Sequence, residues 1–116
     1  MPKYVVLRDV PAQVQNRQPF RMSAAMGGST HRIVVGRLPA VYVAAFDAAQ
    51  LAADYYVVHS YATPIAWHAN GVWVMPDVKY SRTTTRHQNI VRRGLDPAIT
   101  QVVGVKAAAQ WAGDVA

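Results

Sequence analysis

The chain has 116 residues, enough for one modest hydrophobic core, and we expect a single domain over residues 1–116. Hydrophobic residues make up 52% of the sequence and cysteine is absent, so extensive disorder, disulfides and thiolate zinc sites are excluded. Twelve Lys and Arg residues outnumber six aspartates, giving a net charge of +6, which suits an anionic partner; a GC-rich genome would enrich arginine in the same way.

In the N-terminal half the predicted elements are mostly strands. Residues 4–7 form a β-branched run that predicts a strand, while the polar residues 12–19 predict a loop. Residues 20–26 and 32–36 are two further strand candidates, and a turn at residues 27–29 would join them as a hairpin. The alanine-rich residues 39–53 predict a helix, in which Pro39 takes the first position.

A second hairpin is predicted over residues 64–76. Residues 55–60 precede it and predict a strand, and Pro64 indicates either an edge strand or a β-bulge. Asn70-Gly71 is the strongest short signal for a two-residue type I′ turn. In that register His68 pairs with Trp73 on the less apolar face. The better core face carries Ile65, Trp67, Val72 and Val74.

The C-terminal third predicts two helices. Hydroxyl residues at 81 and 83–85 are good caps for a helix that ends near Arg93, and Gly94 would terminate it. Residues 97–112 predict a last helix, which packs rather than binds because Lys106 is its one cation. The fold class that follows is α+β: a small antiparallel sheet that includes the 64–76 hairpin, with two or three helices packed on one face.

The strongest candidate for a binding site is the basic segment between Asp77 and Asp96, which contains no acid. Hydroxyls, free amides and cations at a helix N-terminus suit a phosphate group. The predicted nucleic-acid or anion-binding residues are Lys79, Arg82, Thr83, Thr84, Arg86, His87, Arg92 and Arg93. In the alternative reading, the threonines only cap the helix and the arginines only solvate its outer face.

Trp73, with His68 beside it, is a second candidate contact. An exposed tryptophan would serve as a stacking platform for a base or as an anchor for a protein partner. The alternative is that Trp73 packs inside the domain.

Catalysis is less favoured, and we expect a protein that is not an enzyme. The four histidines lack close ligand spacing, so neither a metal nor another cofactor is expected. No G-x-S-x-G motif is present. A metal-independent ribonuclease that uses His87, Arg86 and Tyr80 stays a lesser alternative.

One segment resembles a known family. Its pattern consists of Ser60-Tyr61, Thr63-Pro64-Ile65-Ala66, Asn70-Gly71, Trp73, Lys79-Tyr80-Ser81, Thr83-Thr84 and Arg86-His87, with Gly36-Arg37-Leu38-Pro39 upstream. It is similar to a domain of unknown function, of the DUF8033 type, found in short proteins encoded by actinobacterial phages. Thr85 and Arg82 depart from the pattern, which has Ser and a small apolar residue there. The resemblance implies a phage origin and expression in a bacterial cytoplasm, and implies no activity.

These observations lead to one functional prediction with alternatives. We expect a non-enzymatic phage accessory protein that binds nucleic acid through the basic surface at residues 79–93. The alternative is a phage effector that binds a host bacterial protein; in either case the protein could form a homo-oligomer. No apolar run is long enough to span a membrane, and we expect a cytoplasmic protein.

Overall fold

A seven-stranded mixed sheet runs through the domain, and each strand lies beside its neighbour in sequence. The computed structural model describes residues 3–23 and 25–114, without the side chains of residues 112–114. The strands are β1 (Lys3–Tyr4), β2 (Phe20–Met22), β3 (Met26–Ser29), β4 (Tyr56–Ser60), β5 (Thr63–Ala69), β6 (Val72–Pro76) and β7 (Thr100–Val103). The outer pairs β1–β2 and β6–β7 are parallel, and the four pairs between them are antiparallel.

Helices cover both faces of this sheet. They are α1 (Val10–Gln15), α2 (Ala40–Ala49), α3 (Arg82–Arg92) and α4 (Val105–Asp114), and short 3-10 helices at Leu7–Asp9 and Pro97–Ile99 precede α1 and β7. α1 and α3 pack on the face that carries Trp73, and α2 and α4 pack on the face that carries Trp67. The predicted fold class is therefore wrong: the sheet is larger and mixed, and its helices number four and lie on two faces.

The predicted hairpin at Asn70-Gly71 is confirmed. Both residues have positive φ, at 54° and 79°, and Ala69 pairs with Val72, as a type I′ turn requires. The Asp54 carboxylate accepts hydrogen bonds from the turn amides of Asn70 (2.7 Å) and Gly71 (2.8 Å). These bonds lower the pKa of Asp54 because they stabilise its ionised form.

Pro64 marks a bulge, one of the two situations that the sequence indicated. The register between β4 and β5 shifts between Val58 and His59, so Val58 pairs with Ala66 while His59 pairs with Pro64. Because β5 has partners on both sides, it is not an edge strand. The bulge accommodates the missing N–H of proline within the sheet.

The predictions for the N-terminal region are largely wrong. Residues 12–19, predicted as a loop, begin within α1, whose Val14 is fully buried. Residues 32–36 form no strand, and the first hairpin instead joins β2 to β3. The predicted strand at 20–26 includes Ala24, which lies outside the described residues. β3 needs its glycines, because a Cβ at Gly28 would overlap the hydroxyl of Tyr56.

The helices predicted at 39–53 and up to Arg93 are confirmed as α2 and α3, with Pro39 one position before the first residue of α2. The helix predicted over 97–112 is wrong, since β7 interrupts it and α4 begins only at Val105. Val103 is held in β7 because its carbonyl accepts a hydrogen bond from the buried Tyr42 hydroxyl at 2.6 Å.

Among the described residues, no helix has the length and apolar character that a membrane span requires.

Candidate functional site

A pocket of about 490 Å³ opens at the N-terminal end of α3, where three connecting segments meet. The loop before α2, the turn between β4 and β5, and the segment before α3 all contribute to it. Its lining consists of Gly36, Arg37, Ser60, Tyr61, Ala62, Thr63, Tyr80, Ser81, Thr83 and Thr84. Seven of these ten residues carry a hydroxyl group, one arginine supplies charge, and none is acidic.

Four side chains form a hydrogen-bonded chain along one wall of this pocket. Ser81 Oγ caps α3 by accepting the amide of Thr84 (3.2 Å) and donates its proton to Thr84 Oγ1 (3.2 Å). Thr84 Oγ1 lies 3.1 Å from Ser60 Oγ, which lies 2.7 Å from His87 Nδ1. We name this set, Ser81–Thr84–Ser60–His87, the hydroxyl relay.

One direction of donation gives every hydroxyl proton of the relay an acceptor within the relay. Thr84 accepts from Ser81, so its own proton is free to bond Ser60. Ser60 then donates to His87 Nδ1, which must be an unprotonated acceptor with its proton on Nε2. A proton on Nδ1 would make Ser60 the acceptor of the last bond and leave one hydroxyl proton, of Ser60 or Thr84, without an acceptor in the relay. The relay therefore favours neutral His87.

The surroundings of His87 also favour its neutral form. Its side chain is 4% exposed, and burial, aided by the charge of Arg86, lowers its pKa from the ordinary value. The ring of Tyr61 lies beside it, with a centroid distance of 6.3 Å. His87 is consequently an uncharged base at neutral pH.

This arrangement predicts a pH dependence of stability. His87 and His59 both have a pKa in the folded state below the ordinary 6.5, so their contribution is fully present above pH 6.5 and is lost as pH falls through the lower folded values. Urea unfolding between about pH 8 and pH 5 should show this decline, and His87→Gln should remove part of it. His31→Gln, at an exposed histidine, serves as the control. An unchanged profile in His87→Gln would contradict the assignment.

Two backbone conformations shape the mouth of the pocket. Gly36 has φ +52°, and the next amide, of Arg37, donates to Thr63 Oγ1 at 2.9 Å. Tyr61 has φ +53° and donates its amide to the carbonyl of Ala25, which turns its side chain outward so that 56% is exposed. Arg37 and Tyr61 are therefore both presented at the mouth.

The predicted basic residues form an exposed surface along α3. Arg82, Arg86 and Arg93 follow each other at intervals of four and seven residues, which places them on one side of the helix over about 16 Å. Arg93 meets Arg8 at a shallow groove near the far end. We name Arg82, Arg86, Arg93 and Arg8 the cationic track; Lys79 and Arg92 are exposed beside it.

The track carries uncompensated charge. Within the part of the chain whose side chains are described, the one basic nitrogen found within ion-pairing distance of a carboxylate is His68 Nδ1, 3.6 Å from Asp54. Among the described side chains, no carboxylate oxygen lies within 4.0 Å of a guanidinium nitrogen of the track. These guanidinium groups are therefore available to an external anion.

The remaining predicted anion contacts divide between the pocket and the interior. Thr83 is exposed and lines the pocket. Thr84 and His87 are buried, at 5% and 4% exposure, and their hydrogen bonds are made within the relay. The Tyr80 hydroxyl is buried without a partner among the described residues, and burial, with Tyr42 nearby, raises its pKa to about 12.

Trp73 and His68 do not form an exposed platform; Trp73 packs inside the domain, which was the alternative reading of the sequence. They are 2% and 3% exposed, because α1 and α3 cover this face of the sheet. The Trp73 ring packs edge-on against Tyr56 and His68, at centroid distances of 5.8 and 5.4 Å. His68 is accommodated in the interior because its Nδ1 donates to the carbonyl of Asp54 at 2.9 Å.

Sequence reasoning placed neither Ser60 nor Arg37, Gly36 or Tyr61 in a site. The signal that could have found them is the family pattern itself. Ser60-Tyr61 and Gly36-Arg37 belong to that pattern, and the fold brings both pairs to the same pocket as Tyr80, Ser81 and Thr83.

Together these features define a sheet domain with helices on both faces, a hydroxyl-lined pocket and an adjoining cationic helix. The chain belongs to DUF8033, a family of unknown function, whose model matches residues 30–98. The matched region contains the whole pocket lining and all of α3. No curated protein and no solved structure matches the chain.

Proposed function

We propose that the protein binds nucleic acid, with the cationic track against the phosphate backbone. The observation that carries this proposal is the alignment of Arg82, Arg86 and Arg93 on one helix side without a carboxylate partner among the described side chains. Guanidinium groups bind phosphate oxygens in pairs, and contact with a polyanion releases its condensed counterions. A row of unpaired arginines is therefore a physical match for a phosphate chain.

Tyr61 takes the stacking role that Trp73 cannot fill. Its ring is 56% exposed at the mouth of the pocket, next to the residues at the start of α3. An exposed aromatic beside a cationic groove is the arrangement by which proteins hold unpaired bases. The proposed ligand is accordingly single-stranded, with phosphates on the track and a base on Tyr61.

The test is fluorescence anisotropy with a labelled single-stranded oligonucleotide at about 50 and 200 mM salt. We expect the wild type to bind more tightly at low salt. Arg82/Arg86/Arg93→Gln should reduce the slope of log K against log salt by about 2, because each lost contact with a single strand removes roughly 0.7. Tyr61→Ala should weaken binding by about 1–3 kcal/mol with little change in slope.

A triple variant with the same loss of charge elsewhere gives the matched control. Arg17, Arg21 and Arg32 are exposed and lie outside α3, so Arg17/Arg21/Arg32→Gln should retain most of the affinity. If both triples weaken binding equally, net charge rather than the track is responsible. Absence of binding at low salt would refute the proposal.

The biological setting follows from the resemblance to phage-encoded proteins and is part of the same proposal. In it, the protein is a phage accessory protein that acts in the cytoplasm of the bacterial host. If the protein instead binds a host protein, a pull-down should retain that partner at moderate salt. The protein should then show no affinity for oligonucleotides at low salt.

A further inference from the structure

We propose that the pocket also carries a hydrolytic centre, in which Ser60 attacks a phosphodiester and His87 is its general base. This goes beyond binding. It rests on the proposed function for the choice of substrate alone, because a nucleic acid on the cationic track would bring phosphodiesters to the mouth of the pocket.

The geometry of the pair supports the assignment. Ser60 Oγ lies 2.7 Å from His87 Nδ1, a direct hydrogen bond of the length expected between a nucleophile and its base. With His87 neutral and its proton on Nε2, Ser60 is the donor and His87 Nδ1 the acceptor, which is the direction in which the proton must move. Thr84 fixes the orientation of the Ser60 hydroxyl, at 3.1 Å, and the Tyr61 ring packs beside His87.

The position of Ser60 in the fold also suits a reacting group. Ser60 lines the pocket with only 1% of its residue surface exposed, so a substrate in the pocket reaches Oγ only as the wall around it gives way. Ser60 ends β4 and His87 lies on the inner side of α3, both rigid elements. Such placement fixes the two groups relative to each other before a substrate arrives.

Arg37 favours an anionic substrate. It is the charged residue of the lining, its backbone is fixed by the bond from its amide to Thr63 Oγ1, and no acid lines the pocket to oppose an anion. A guanidinium beside a phosphoryl group stabilises the charge on the non-bridging oxygens as the transition state forms. A phosphodiester fits this lining better than a neutral carboxylic ester.

The proposed reaction conserves atoms and charge. Ser60 Oγ forms a bond to phosphorus as its proton passes to His87 Nδ1, and the bond between phosphorus and the leaving oxygen breaks. His87 gives that proton to the leaving oxygen, which departs as an alcohol. Water then attacks the phosphorus of the serine phosphodiester, the bond between Ser60 Oγ and phosphorus breaks, His87 passes the water proton to Ser60 Oγ, and a phosphomonoester is released.

The first experiment uses the native protein and a fluorophosphonate probe, which phosphonylates activated serines with loss of fluoride. Peptide mass spectrometry should place one adduct at Ser60. Labelling should be slowed about 100-fold or more in His87→Gln and in His87→Asn, because the base is lost. Preincubation with a thymidine dinucleotide should slow labelling of the wild type by occupying the pocket.

The second experiment measures hydrolysis of bis(p-nitrophenyl) phosphate. Ser60→Ala should abolish turnover, and Arg37→Gln should reduce it by about 100-fold. Arg17/Arg21/Arg32→Gln should hydrolyse at the wild-type rate. Thermal unfolding tests whether each variant is folded. Where a variant does not fold, the presence or absence of the Ser60 adduct in the wild type still tests the hydrolytic centre.

The outcomes separate this proposal from nucleic-acid binding, because labelling requires no nucleic acid. An adduct at Ser60 in a protein that fails to bind oligonucleotides would overturn the proposed function and support the hydrolytic centre. Binding without any adduct at Ser60, and without turnover above that of Ser60→Ala, would overturn the hydrolytic centre and leave binding intact.

Discussion

Trp73→Ala should lower the free energy of unfolding by about 3–5 kcal/mol, the cost expected for emptying the space of a large buried aromatic. The ring is 2% exposed and packs edge-on against Tyr56 and His68, so the substitution removes both contacts and leaves a cavity under α1 and α3. Small domains unfold with about 5–15 kcal/mol. A loss of this size would therefore remove much of the free energy of unfolding.

Urea unfolding followed by circular dichroism measures this change. Tyr61→Ala is the matched control, because it removes an aromatic ring that is 56% exposed, and it should change the unfolding free energy by about 0.5 kcal/mol or less. Equal effects at the two positions would show that Trp73 is not in the core, and would return it to consideration as a contact residue.

Gly36→Ala is the second substitution with a large expected effect. The left-handed backbone at φ +52° costs an L-residue about 1–2 kcal/mol. The added methyl would also overlap the carbonyl of Ala62 and approach Thr63 Oγ1 to 2.6 Å, and such overpacking costs about 1–3 kcal/mol. Relief of that overlap would move the loop that holds Arg37, so the pocket should open.

Gly71→Ala separates the two contributions. Gly71 has φ +79°, and a Cβ there meets nothing within 4 Å, so the variant incurs the backbone cost alone. Denaturant titration of both variants should show the larger loss for Gly36→Ala. If the two losses are the same, the approach between the Gly36 loop and the β4–β5 turn is looser than described, and Arg37 is not fixed by it.

Local chemistry explains which elements the sequence predicted correctly. Asn70-Gly71 specifies its own turn through positive φ, and Ser81 caps α3 through the amide of Thr84, so neither depends on distant residues. β7 is different, because its strand conformation depends on pairing with β6 and on the bond from Tyr42 to Val103. The alanine-rich sequence that surrounds it favours a helix until those partners are present.

The hairpin sequence alone left the burial of Trp73 open. The hairpin register was predicted correctly and placed Trp73 and His68 together on the less apolar face, which left open whether that face is covered. In the structure the Asp54 carbonyl accepts the His68 proton, which lets that face be covered by helices. A hydrogen bond to a residue fourteen positions away is not visible in the hairpin sequence.

The candidate site was predicted only in part, because some of its contacts join residues that are distant in sequence. The cations of α3 follow each other in sequence, so their clustering is a local property. Ser60 and His87 are twenty-seven residues apart, and their contact depends on how α3 lies against the end of β4. The sequence showed both residue types, but only the packing of helix on sheet brings the nucleophile and the base within hydrogen-bonding distance.

The consecutive order of the strands has a kinetic consequence. Three of the six strand pairs, β2–β3, β4–β5 and β5–β6, close short turns, and such local pairings form faster than pairings between distant segments. The meander of β4, β5 and β6 spans residues 56–76 with tight turns, and would form a nucleus from local pairings. The parallel strands β1 and β7 require longer crossovers, so we expect them to dock last and to exchange their amide hydrogens first.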